Sequence, residues 1–89
     1  MNGASVPALR LDVRVRNGGD GLMVARQEHV YELDVVASFI WRRIDGVHSV
    51  ADIGTALAGE YGIDPDEATA DVAEALEPLL ADGLITVKD

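Results

Sequence analysis

The side chains that could do chemistry in this chain are few, and their spacing argues against a reaction centre. His29 and His48 are the only histidines, and no HxxxH or HxH pattern places two imidazoles on one metal. There is no cysteine, so thiolate metal sites and disulfides are ruled out. Ser5, Ser38 and Ser49 are the only serines; none stands in a G-x-S-x-G turn, and Ser49 reads as a helix cap. The loop Asn17-Gly18-Gly19-Asp20-Gly21 is glycine-rich, yet no Lys and no helix follow it, so it matches neither a P-loop nor a dinucleotide fingerprint. Asp64 and Asp66 flank Pro65 as the opening of a helix and lack the twelve-residue calcium pattern. The expectation is a protein that is not an enzyme and carries no metal or cofactor.

Charge narrows the partners. The chain has 89 residues and a formal net charge of −9. Residues 1–44 carry six Arg against five acids, whereas residues 45–89 carry one Lys against eleven acids. A duplex binder draws its affinity from neutralising phosphates with Lys and Arg, so no nucleic-acid partner is expected. No apolar run approaches the ~20 residues that span a bilayer, and the first residues do not resemble a signal peptide. These features predict a cytoplasmic protein with no membrane partner, monomeric on its own. The acidic second half reads first as a solvated face and, more sharply, as a docking surface for a basic partner.

The elements that must position any site follow from periodicity. Leu9 through Arg16 alternates apolar and polar, predicting a strand with Leu9, Leu11, Val13 and Val15 on one face. The glycine-rich loop then turns the chain into a second strand at Leu22–Arg26, and His29–Leu33 reads as a third. Asp34 can cap a helix over residues 35–44 with Leu33, Val36, Ala37, Ile40 and Ile44 along one stripe, and with Trp41 as a core residue. Ser49 with Asp52 resembles a capping box for a second helix through Tyr61. Asp64-Pro65-Asp66-Glu67 opens a third helix running to about Asp82, which Pro78 should kink. Leu84–Val87 reads as a short extended tail. A single domain spanning 1–89 is expected, folded from about 9 to 87. Its class is α+β, a three-stranded antiparallel sheet followed by three helices.

The order and spacing of several segments resemble the PqqD-like family of RiPP recognition elements, domains that act on ribosomally made and later modified peptides. Val30-Tyr31-Glu32-Leu33-Asp34 is similar to the family's aliphatic-aromatic strand end followed by Leu-Asn/Asp. Ala37 through Ile40-Trp41 and Ile44-Asp45-Gly46 resemble its first helix and helix end. Ser49-Val50-Ala51-Asp52-Ile53 looks like the family's second-helix start, and Asp71-Val72 with Leu76 through Gly83-Leu84-Ile85 looks like its ending. The likeness covers about Val13 to Ile85.

The resemblance implies a winged-helix-like fold that binds the leader of a precursor peptide and presents it to a maturation enzyme. An edge strand with unpaired backbone groups can accept an extended peptide as a further strand. On that basis the expected leader-binding residues are Glu28, Val30, Tyr31 and Glu32 on the third strand. Asp71, Val72, Ala75 and Leu79 on the third helix form the opposite wall, its apolar members receiving leader side chains. Glu67, Glu74 and Glu77 are the candidate enzyme-docking acids. The family's name-bearing members carry a Pro-Glu pair where this chain has Glu28-His29. Ile40-Trp41, the short length and the bare ends look more like the stand-alone proteins of lasso-peptide clusters, whose partner is a leader peptidase. A peptide chaperone for another modifying enzyme, such as a radical SAM protein, is the alternative, and a DNA-binding winged helix the distant one.

Overall fold

The computed structural model describes all residues from Met1 to Asp89. The elements are β1 (Val6–Leu9), β2 (Arg14–Gly18), β3 (Gly21–Arg26), β4 (His29–Leu33), α1 (Val35–Trp41), α2 (Val50–Tyr61), α3 (Pro65–Ala81) and β5 (Ile85–Lys88). They form an α+β fold with two antiparallel sheets, one ordered β2-β3-β4 and one made of β1 and β5. The central sheet, followed by three helices, is the expected arrangement. The second sheet is an addition to it.

That addition corrects the reading of both ends. The alternating run from Leu9 to Arg16 is not one strand. Its first residue closes β1, the chain turns through Arg10–Val13, and β2 begins only at Arg14. Leu11, expected on the buried face, is fully exposed on this turn. Residues before 9 are part of the fold, because Ser5 and Pro7 are buried and Val6 pairs with Lys88. The supposed tail is β5, with Ile85 buried and opposite Leu9. The N-terminal segment also runs along the start of α2, where the Val50 and Ala51 N–H groups donate to the Ser5 and Gly3 carbonyls. The physical reason is distance along the chain. The partner of β1 lies at the other end of the sequence, so local periodicity carries no trace of the pairing.

The helices form where their caps stand. Asp34 accepts from the Ala37 N–H, Ser49 and Asp52 exchange both bonds of a capping box, and Asp64 accepts from the Asp66 and Glu67 N–H groups ahead of Pro65. The first helix ends at Trp41, earlier than expected, and a tighter turn takes the chain to Ile44 through i→i−3 bonds. Its inward face carries Ser38, Ile40 and Trp41, while Val36 is exposed. α3 continues through Pro78, whose missing N–H leaves the Glu74 carbonyl without its i+4 donor. One core joins Val24 and Leu33 of the sheet to Ile40, Trp41, Ile53, Leu57, Val72, Leu76, Leu79, Leu84 and Ile85. α2 and α3 approach closely because Gly54 has no side chain: a Cβ there would lie 2.7 Å from the Thr69 Cα. No helix is long and apolar enough to cross a membrane.

Candidate functional site

β4 is an edge strand. It pairs with β3 on one side, from Leu33 opposite Leu22 to His29 opposite Arg26, and with nothing on the other. The hairpin loop is Gln27-Glu28, with Gln27 at φ 55°. A two-residue loop makes Arg26 and His29 the closing hydrogen-bonded pair, and pairing then alternates along the ladder. His29, Tyr31 and Leu33 therefore face β3 with their backbone groups. Val30 and Glu32 turn their N–H and C=O outward to the open edge.

The far end of the ladder supports this alternation. Leu22 and Leu33 should close with a direct bond, and there the Ser38 hydroxyl has inserted. It accepts from the Leu22 N–H at 2.9 Å and donates to the Leu33 carbonyl at 3.2 Å. Gly21 makes room for the junction, since a Cβ at that position would stand 1.9 Å from the Leu33 carbonyl oxygen. Ser38, a mid-helix residue in the sequence, thus fixes where the edge strand ends.

Side chains alternate in the same way. His29, Tyr31 and Leu33 lie on the face that meets the helices, and Val30 and Glu32 on the other. Tyr31 reaches α3, where its hydroxyl donates to Asp82 Oδ2, and the His29 Nδ1 lies 3.8 Å from the same oxygen. The bond to Asp82, aided by desolvation and by the carboxylate's charge, raises the Tyr31 phenol above its ordinary value. Asp82 is the C-cap of α3. Helical spacing puts Asp71, Ala75 and Pro78 on the same side of α3 as Asp82, at i−11, i−7 and i−4.

The structure therefore gathers some of the expected residues and separates others. Val30, Tyr31 and Glu32 lie on the free strand, and Glu28 sits exposed in the loop at its start. Asp71 is exposed and Ala75 half-buried. Val72 and Leu79 are corrected: they are 0% and 4% exposed, and they pack α3 onto the core rather than line an open surface. Their stripe is rotated away from the one that carries Asp82. Glu67, Glu74 and Glu77 are exposed on α3. Sequence reasoning missed Asp82, although its place just before the helix-ending Gly83 is a signal that it stands at a helix end.

The remaining chemistry-bearing groups lie elsewhere and have local tasks. Between α1 and α2, the Val47 and His48 N–H groups each donate to Asp45 Oδ1 at 2.9 Å, and the His48 Nδ1 lies 2.5 Å from Asp45 Oδ2. The two backbone bonds are the main reason that the Asp45 carboxyl falls to about 2. Asp45 and His48 share an open depression with Arg42, Arg43 and Asp52, but Arg43 is engaged with the Phe39 ring and carbonyl, and Asp52 with the cap. Ser5 is buried and donates to Asp89.

A small antiparallel sheet followed by three helices is a fold this chain shares with several solved structures. The PqqD truncation of Methylobacterium extorquens PqqCD, a functional and stand-alone RiPP recognition element, superposes with a TM-score of 0.82 at 26% identity, over 96% of this chain and 93% of that one. A lasso peptide synthetase B1 complexed with a leader peptide gives 0.77 at 26% identity, over 90% and 96%. The model of the family "Coenzyme PQQ synthesis protein D (PqqD)" matches residues 21–85. A PqqA binding protein of Xanthomonas campestris pv. campestris (strain B100) is 39% identical over 72 residues, 79% of this chain and 78% of its own length. The chain belongs to the PqqD family.

Proposed function

We propose that this protein binds the leader segment of a ribosomally made precursor peptide by adding it as a strand to the free edge of β4, and presents it to a maturation enzyme. The observation that carries the reading is the outward backbone of Val30 and Glu32. Two residues of an open edge offer a peptide two donors and two acceptors in strand register. The relatives point the same way: one is a PqqA binding protein, and one solved neighbour holds a leader peptide. Glu28, Val30, Tyr31 and Glu32 supply the strand side of the site, and Asp71 and Ala75 the helix side. Val72 and Leu79 act from within, by fixing the position of α3. The chain itself performs no reaction in this scheme.

The partner enzyme we favour is a lasso-peptide leader peptidase. The 39% identity to a PqqA binding protein favours a second reading, a PqqD-type peptide chaperone for a different modifying enzyme, such as a radical SAM protein. Calorimetric titration with the leader of the precursor encoded beside this gene tests the binding step. Dissociation constants in the micromolar to nanomolar range are expected, about −8 to −12 kcal/mol. No heat and no anisotropy change with any neighbouring precursor would sink it. Pull-down of the two candidate enzyme classes then separates the readings.

A further inference from the structure

The face of the β2-β3-β4 sheet turned away from the helices has no partner within the chain. Strand alternation and the register place two rows on it: Arg14, Ala25 and Val30, and beside them Arg16, Met23 and Glu32. Val30 is 57% exposed, and Arg14 and Arg16 are both exposed. A shallow depression of about 280 Å³ lies among Arg14, Arg16, Met23, Ala25 and Val30. Neither arginine is ion-paired, whereas Arg26 on the same hairpin is held by Asp12 at 3.0 Å. An apolar centre flanked by free arginines is the anatomy of a protein interface, where Arg and Met are enriched and an apolar patch is ringed by charge.

We infer that this outer sheet face docks the maturation enzyme through an acidic, partly apolar surface on that enzyme. The inference rests on the leader-binding reading. Two observations select the occupant. The first is charge: in a protein of net charge −9, Arg14 and Arg16 are unpaired beside exposed apolar groups and outnumber the single acid of these two rows, Glu32, so an acidic surface is the complement. The second is continuity. Val30 and Glu32 direct their backbones to the β4 edge and their side chains to this face. A strand added at the edge extends the same face with its own alternate side chains. The enzyme would then meet one surface made of sheet and bound peptide, and would sense whether the edge is filled. The acidic outer side of α3, with Glu67, Glu74 and Glu77, lacks such an apolar centre.

The test uses the full chain, the leader of the precursor encoded beside its gene, and the purified modifying enzyme or peptidase encoded there. Leader affinity is read by calorimetry and enzyme affinity by bio-layer interferometry. R14E/R16E is expected to keep leader affinity within about twofold and to weaken enzyme binding at least about tenfold. Enzyme binding by the unmodified chain should also weaken with added salt. E74K/E77K is expected to leave both affinities in place. Unchanged enzyme binding by R14E/R16E, loss of it in E74K/E77K, or no enzyme binding by the unmodified chain overturns the inference. If the charge reversal fails to fold by circular dichroism, R14Q/R16Q carries the same test. A chain that binds no leader overturns the leader-binding reading instead, so the two failures are distinguishable.

Discussion

The two sheets of this molecule are built on opposite terms. The β2-β3-β4 sheet is made of two tight hairpins between neighbours in sequence, and it leaves the β4 edge and one whole face open. The β1–β5 ribbon joins the two ends of the chain and carries buried Pro7 and Ile85 against the helices. Local pairing costs little loop-closure entropy, so the hairpins can afford an exposed edge. The ribbon must recover a far larger closure through burial. On the proposed reading the difference separates two duties: the open sheet is left for partners, and the closed ribbon holds the ends against the core.

The comparison breaks most readily at the ribbon. Ile85→Ala removes a side chain that is 1% exposed, and a loss of about 3 kcal/mol is expected from transfer and cavity costs. Urea denaturation followed by circular dichroism reads it. A loss below about 1 kcal/mol would show that the ribbon contributes little and that the division of duties is wrong.

The open sheet should have one rigid point, where Ser38 and Gly21 meet Leu33. Gly21→Ala forces a Cβ into the Leu33 carbonyl. It should cost about 2 kcal/mol, because the neighbours are backbone and cannot swing aside. Val15→Ala, at an exposed position on β2, should stay within about 0.5 kcal/mol in the same urea series. Equal effects from the two would mean that the junction is not special.

The edge itself is expected to matter for binding more than for stability. Glu32→Pro removes an N–H that points to solvent, so the ladder to β3 survives and the leader loses a donor. Leader affinity should fall about tenfold, close to one hydrogen bond, with the urea midpoint nearly unchanged. Tyr31→Pro removes an N–H that faces β3 and should instead lower the midpoint. Reversed outcomes for the pair would show that the alternation assigned to β4 is off by one residue.

Much of this was legible in the sequence, and the omissions have a common cause. Alternation at His29–Leu33, the caps at Asp34, Ser49 and Asp64, and the turn glycines are local signals, and each element they mark is present. The β1–β5 pairing is not local. Leu9 and Leu11 fit a strand pattern that the chain breaks, because Leu9 had a distant partner to satisfy. The helix wall of the site was half legible. The apolar stripe of α3 is wide, and spacing alone could not say that Val72 and Leu79 turn to the core while Asp71 and Ala75 share the side of Asp82. Asp82 was invisible as a site residue, because its role depends on where Tyr31 reaches across from β4.

That reach yields the smallest and most specific expectation. Tyr31 and Asp82 tie the open strand to the end of α3, and the tie raises the Tyr31 phenol in the folded state. A raised folded value means that the stability from this bond is fully present below the unfolded tyrosine value of about 10 and is lost as pH rises through the folded one. Ultraviolet titration of the folded protein should show a tyrosinate that appears late, and Tyr31→Phe should abolish that late signal. The same variant should cost about 1 kcal/mol at neutral pH. In alkali the difference between variant and unmodified chain should shrink, since both then lack the bond. A late signal that survives in Tyr31→Phe would detach the phenol from Asp82 and leave β4 joined to the helices through Leu33 and Ser38 and through His29 near Asp82.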